Sequence, residues 1–230
     1  MDENKLFERL VQSGLLTEGD DGTIQLSTEF ESRATQYHDQ ITNGTADITD
    51  LVTQVGTPSR HVDRLTSAAA EDSEFVARYL AIRDMVESIE FVESVRVLVL
   101  LDKLTDPTSQ TAGSPELFLP IRGERLPAML SIFPLAVVYI WREQCPDCDV
   151  MREALETTFE GSHDQMTLLS VYGPTCAGLL EERYDVVGGP TTLFVVDGEI
   201  DCRLQGAHVQ AVIEREISNS ITTAEMQGVL

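Results

Sequence analysis

Lysine is almost absent from this chain of 230 residues: of its sixteen basic side chains only Lys5 and Lys103 are lysine, and the rest are arginine. Thirty-nine acids outweigh them, giving a formal net charge of −23. So few cations cannot neutralise a phosphate backbone, and nucleic acid is not an expected partner. Long apolar runs are missing too. The longest, Ile132 to Trp141, is broken by Pro134 and falls far short of the ~20 residues of a membrane span, so no membrane association is expected. Met1-Asp2-Glu3-Asn4-Lys5 is acidic with no apolar stretch behind it, unlike a secretory leader, and the expected location is cytoplasmic. Histidine is scarce, and His38, His61, His163 and His208 show no ligand spacing. With only Cys176 and Cys202 beyond the pair described below, a four-ligand zinc site is not expected, nor any other cofactor.

What is present can build a core. The chain is 42% hydrophobic and 24% charged, and its length suits one large or two small domains. The acidity is spread along the whole chain: 22 acids and 9 bases precede Pro120, and 17 acids and 7 bases follow from it. This is not an acidic tail. It fits adaptation to molar salt, where screening shortens the Debye length to a few Å. A dispersed acidic surface with almost no lysine resembles proteins of salt-loving archaea.

Periodicity divides the chain. Leu6, Phe7, Leu10 and Val11 share one helical face over 4–13, and Gly14 stops that helix. Leu15 to Ser27 reads as a hairpin turning at Glu18-Gly19-Asp20-Asp21-Gly22. Phe30, Ala34, Tyr37 and Ile41 mark a further helix. Thr57-Pro58 is expected to cap another, with Val62 and Leu65 inward. Asp72 or Ser73 opens the next, and Val92 to Leu104, apolar nearly all round, is expected to be a buried central helix. The pattern breaks over Asp106–Pro115. Beyond it come a strand at 117–121, a helix at 124–130, a strand at 135–141, a helix from Pro146 to Phe159, a strand at 166–172 and a helix at 176–184. Strands at 191–196 and 199–204, joined by Asp197-Gly198, and a helix at 209–217 complete the order βαβαβαββα. The expected fold class is α/β, a mixed central sheet flanked by helices, preceded by a mostly α-helical domain with one small hairpin. The expected domains are 1–105, a linker at 106–115, and 116–230.

Cys145-Pro146-Asp147-Cys148 follows the buried strand and starts a helix. Three residues along a first helical turn bring two sulfurs within bridging distance, and proline is tolerated there because its missing N–H has no helical partner. Cys145, at the turn's end, faces the unpaired N–H groups and the positive pole of the helix, which stabilise a thiolate. Cys148, one turn deeper, is expected to be less exposed. Cys145 is therefore the expected attacking thiolate and Cys148 the resolver of the mixed disulfide.

The C-terminal half resembles the thioredoxin superfamily. Trp141 stands four residues before Cys145. Gly188-Gly189-Pro190-Thr191 occupies the place of the family's cis-proline loop, and Thr192 to Ile200 with Gly206-Ala207 keeps the spacing of its last hairpin. The resemblance covers about residues 115–220 and implies a thioredoxin fold with Pro190 facing Cys145. It further implies thiol–disulfide exchange with protein disulfides, in which Cys145 and Cys148 are catalytic and Trp141, Pro146, Asp147, Gly189 and Pro190 meet the substrate. The resemblance also implies that electrons come from a reductase or a small thiol. Three departures stand out. Tyr139 replaces the family's buried aspartate, the lysine that partners it is replaced near Ser170, and Gln144 replaces the tryptophan before the first cysteine.

The N-terminal half carries a helix and hairpin like the end of a winged-helix module, but without a basic face. Docking to a protein partner, or self-association, is the expectation. The alternatives to a disulfide reductase are a redox-responsive adaptor, whose dithiol switches docking without turnover, and a thioredoxin-fold scaffold with an inert dithiol.

Overall fold

The computed structural model describes residues 3–19, 22–105, 110–160 and 165–230. Asp20 and Asp21 of the expected hairpin turn, residues 106–109 of the expected linker, and His163 lie outside these. The chain divides into two compact units, 1–108 and 109–230.

Among the described residues, the first unit is helical apart from one hairpin. Helix α1 (Glu3–Gln12) is followed by Gly14 at φ +71° and by the antiparallel strands β1 (Leu16–Glu18) and β2 (Ile24–Leu26). Ser27 caps α2 (Thr28–Thr42) by accepting from the Phe30 amide at 3.0 Å. Helices α3 (Ile48–Gln54), α4 (Ser59–Glu71), α5 (Ser73–Met85) and α6 (Phe91–Thr105) follow. Asp72 caps α5 through the Phe75 amide.

Three expectations are corrected here. Helix α3 stands where no periodic pattern was legible; Asp47 caps it and only Leu51 and Val52 are buried. Thr57 does not cap α4. Pro58 holds the cap position, and the buried Thr57 hydroxyl pairs with that of Tyr79 at 2.9 Å. The enclosed central helix is α5, buried continuously from Phe75 to Ile82, rather than α6. Helix α5 packs against α2, α4 and α6, so even Arg78 on it is buried, 3.0 Å from Asp102 of α6. Helix α6 lies to one side, and Val92, Leu100 and Leu104 are nearly half exposed.

The second unit runs β3 (Leu119–Ile121), a 3₁₀ turn (Gly123–Arg125), α7 (Leu126–Ile132), β4 (Leu135–Trp141), α8 (Pro146–Phe159) and β5 (Thr167–Tyr172). A 3₁₀ turn (Gly173–Thr175), α9 (Ala177–Tyr184), β6 (Thr191–Val196), β7 (Glu199–Gln205) and α10 (Gln210–Met226) complete it. The sheet order is β3-β5-β4-β6-β7; β3, β5 and β4 are parallel, and β6 and β7 antiparallel to their neighbours. This is a thioredoxin-type α/β fold. Strand β4 is central and wholly buried, which its run of apolar residues requires. Leu135, Val137, Tyr139 and Trp141 point to one face, against Cys148, Met151 and Leu155 of α8 and Ile213 and Ile217 of α10. Asp197 and Gly198, both at positive φ, make the tight turn between β6 and β7. Helix α10 runs nine residues beyond its expected end at Ile217, because Ser220 and Ala224 continue its buried stripe.

Candidate active site

The site begins where β4 stops. Arg142, Glu143 and Gln144 form an exposed turn, with Gln144 left-handed at φ +52°, and Cys145 takes the N-cap of α8. Its Sγ accepts the Cys148 amide at 3.2 Å, and its carbonyl receives the amides of Cys148 and Asp149. Pro146 occupies the first helical turn, where no amide is required. Cys145 and Cys148 are joined by a disulfide, with Cα atoms 5.2 Å apart. The expected contrast in burial is absent: Cys145 is 6% exposed and Cys148 5%. The reason is local. The Cys145 sulfur is tucked against the loop before β6, 3.7 Å from the Gly189 carbonyl oxygen. What still distinguishes the sulfurs is the helix terminus, whose amide points at Cys145 alone.

Pro146 and Asp147 are exposed at the mouth. Asp149 lies 3.4 Å from Arg152. The Gly189–Pro190 peptide is cis. Pro190 is buried, its carbonyl accepting the Gly206 amide at 2.9 Å, and the Thr191 hydroxyl donates to Gly188 O at 2.6 Å. Gly189 has a steric reason to be glycine: a Cβ there would sit 3.1 Å from the Ile140 carbonyl and 3.2 Å from Trp141 Cα. The close approach of this loop to the end of β4 brings the Gly189 peptide beside the sulfur.

Beneath the disulfide lies a polar row that sequence reasoning located only in part. The Trp141 indole donates to the Ser170 hydroxyl at 3.0 Å and packs on Tyr172, ring centres 5.0 Å apart. Tyr139 donates its hydroxyl to the Cys148 carbonyl at 2.7 Å. Sheet register sets Ser170 and Thr192 on either side of Tyr139. Thr192 is fully buried and its hydroxyl has no hydrogen-bond partner among the described residues. Burial pushes the Tyr139 phenol well above its ordinary range; Asp149 and Glu156 add to this and Arg152 opposes it. The row is neutral throughout. Gly113 was not foreseen either: it lies so close under the Trp141 ring that a Cβ would overlap the indole.

The remaining thiols are apart from this site. Cys176 is buried beside Gly123, and burial, helped by Glu124, pushes its thiol up to about 11. Cys202, half-buried on β7, is raised by burial and by Glu216. Among the described residues, no three His, Cys, Asp or Glu side chains gather as a metal-ligand group, and no helix is long and apolar enough to cross a membrane.

No protein-family model and no curated protein matches the sequence. Similar solved structures include thioredoxins. Oxidized mitochondrial thioredoxin 3 from Saccharomyces cerevisiae is 14% identical with a TM-score of 0.40, the match covering 44% of this chain and 94% of that one. A mutant thioredoxin from Halobacterium salinarum NRC-1 is 21% identical with a TM-score of 0.41, covering 48% of this chain and 96% of that one. Plasmodium falciparum thioredoxin is 17% identical with a TM-score of 0.39, covering 44% and 96%.

Proposed function

We propose that the second unit carries out thiol–disulfide exchange with protein disulfides. In the reduced protein, the Cys145 thiolate attacks one sulfur of a substrate disulfide and expels the other as a thiolate, which takes a proton. Cys148 loses its proton and attacks Cys145 Sγ, releasing the second substrate thiol. Two electrons pass to the substrate and the Cys145–Cys148 disulfide forms; a reductase or a small thiol restores the dithiol. The observation that carries this reading is the placement of a bridged cysteine pair on a helix N-terminus against the Gly189 backbone. Trp141 supports the turn from below, while Pro146, Asp147, Gly189 and Pro190 surround the approach of an extended peptide. The acidic surface fits a cytoplasm of high salt, as in a salt-loving archaeon. The helical unit, residues 1–105, joined through 106–115 to the catalytic unit at 116–230, serves a protein partner or self-association.

One observation favours a second reading, the redox-responsive adaptor. Gly113, in the segment that leads from the helical unit, is seated on Trp141 beside the dithiol. A change at the disulfide thus has a packed route to that segment.

A redox titration in molar KCl tests both, with wild type beside Cys145→Ser and Cys148→Ser. A reversible couple with catalytic reduction of insulin supports exchange. A reversible couple without turnover supports the adaptor, and no reversible couple sinks both.

A further inference from the structure

Of the three hydroxyls in the polar row beneath the disulfide, two are committed: that of Tyr139 to the Cys148 carbonyl and that of Ser170 to the Trp141 indole. The third belongs to Thr192, which is fully buried, and it has no hydrogen-bond partner among the described residues. A hydroxyl buried in this way is costly and rare. Valine fills the same volume without that cost, and the rest of β6 from Leu193 to Val196 is apolar. Packing alone therefore gives no reason for a hydroxyl at this position.

The dithiol gives one. Thr192 stands directly opposite Tyr139 in the sheet, and cross-strand partners share a face. Phe194 and Val196, which follow Thr192 at alternate positions of β6, belong to the buried cluster that holds Cys145 and Cys148. The Cys145 sulfur already has the Cys148 amide and the Gly189 carbonyl beside it; among the described residues the Cys148 sulfur has neither. Opening the disulfide leaves Cys148 either a thiol with a proton to donate or a thiolate in need of a donor. A threonine hydroxyl serves both, since it accepts as well as donates. In this row, which contains no carboxylate, only the hydroxyl of Thr192 is uncommitted.

We infer that Thr192 is the partner of the Cys148 sulfur in the reduced protein: its hydroxyl accepts from the Cys148 thiol and turns to donate to the thiolate that attacks Cys145. On reduction, a dithiol such as dithiothreitol gives two electrons and two protons to the Cys145–Cys148 bond and closes to its own disulfide. The Thr192 bond forms only then, so it favours the dithiol over the disulfide. This rests on the exchange reading above and deepens it, because a stabilised dithiol is a weaker reductant of its substrates.

The test equilibrates the full-length protein in molar KCl with graded dithiothreitol or glutathione redox buffers. Thiols are trapped with iodoacetamide, and the segment carrying Cys145 and Cys148 is read by mass spectrometry. Wild type is compared with Thr192→Val and Thr192→Ala, which lack the hydroxyl, and with Thr192→Ser, which keeps it. Both hydroxyl-free variants are expected to move the equilibrium about fivefold toward the disulfide, the size of one hydrogen bond, or about 20 mV for two electrons. Thr192→Ser should stay within about twofold of wild type. In urea unfolding, Thr192→Val should be no less stable than wild type when oxidised and less stable when reduced. An equilibrium unmoved in either hydroxyl-free variant, Thr192→Ser displaced as far as Thr192→Val, or an equal loss of stability in both redox forms would overturn the inference and leave exchange standing. A wild-type protein with no reversible couple would overturn the exchange reading, and this inference with it.

Discussion

The hydroxyl of Tyr139 donates to the carbonyl oxygen of Cys148 at 2.7 Å, tying the central strand to the first turn of the helix that carries both sulfurs. Its neighbours in the sheet, Ser170 and Thr192, are neutral as well. Burial keeps the Tyr139 phenol protonated, so this row fixes the position of the helix turn and supplies no carboxylate base beneath it. Tyr139→Phe keeps the ring and removes the hydroxyl. It is expected to cost about 1 kcal/mol in urea unfolding of the oxidised protein, and unchanged stability would show that this bond contributes nothing.

Gly189→Ala places a methyl against the Ile140 carbonyl and Trp141 Cα. The loop must retreat, at an expected cost of about 1–3 kcal/mol, and with it the Gly189 peptide beside Cys145. Exchange with insulin should slow at least tenfold, more than the loss of stability explains. An undiminished rate would remove Gly189 from the substrate-binding surface.

Trp141 is the sole tryptophan of the chain and shares a buried cluster with Cys145 and Cys148. Its emission should change when the disulfide is reduced, in wild type and not in Cys145→Ser. Ser170→Ala leaves the indole N–H without its acceptor and should lower stability by about 1–3 kcal/mol. An emission blind to reduction would argue against coupling between the dithiol and Trp141.

Cys176 gives a pH prediction. Burial raises its thiol from an ordinary value near 9 to about 11. Folded protein therefore holds this proton more tightly than unfolded protein. The resulting stability is fully present below about pH 9 and is lost as pH rises to about 11, by up to about 3 kcal/mol. Cys176→Ala should show a smaller decline over that window. At pH 8, iodoacetamide followed by mass spectrometry should modify Cys202 well before Cys176.

The buried pair Arg78–Asp102, 3.0 Å apart, joins α5 to α6. Asp102→Ala takes away the nearest carboxylate of a buried guanidinium and is expected to cost about 3–5 kcal/mol. A chain of −23 should also gain stability from screening: raising KCl from 0.1 to 2 M is expected to lift Tm by about 4 °C or more, worth roughly 1–2 kcal/mol. A Tm that is flat or falls with salt would contradict the proposed adaptation.

Much of this was legible in the chain because it depends on local chemistry. Alternation and apolar runs placed β4 and α8 at their observed limits, since a wholly buried strand and a proline-started helix each announce themselves within a few residues. The spacing of Cys145 and Cys148 marked out the dithiol, and the resemblance to thioredoxins pointed to the loop at Pro190 that meets it. Other features were set by partners distant in sequence. Helix α5 is enclosed because α2, α4 and α6 surround it, whereas α6, more apolar by composition, has a face left open. Cys145 is as buried as Cys148 because Gly189, 44 residues away, closes over it. The Trp141–Ser170 bond, the seat of Gly113 under the indole and the open position of Arg142 come from strands and loops brought together by the sheet order. The sequence alone determines most of the helices and strands and where the paired sulfurs stand, because those follow from near neighbours. Only the tertiary structure decides which faces are covered and which charges are left free, because burial and pairing depend on what folds back against each residue.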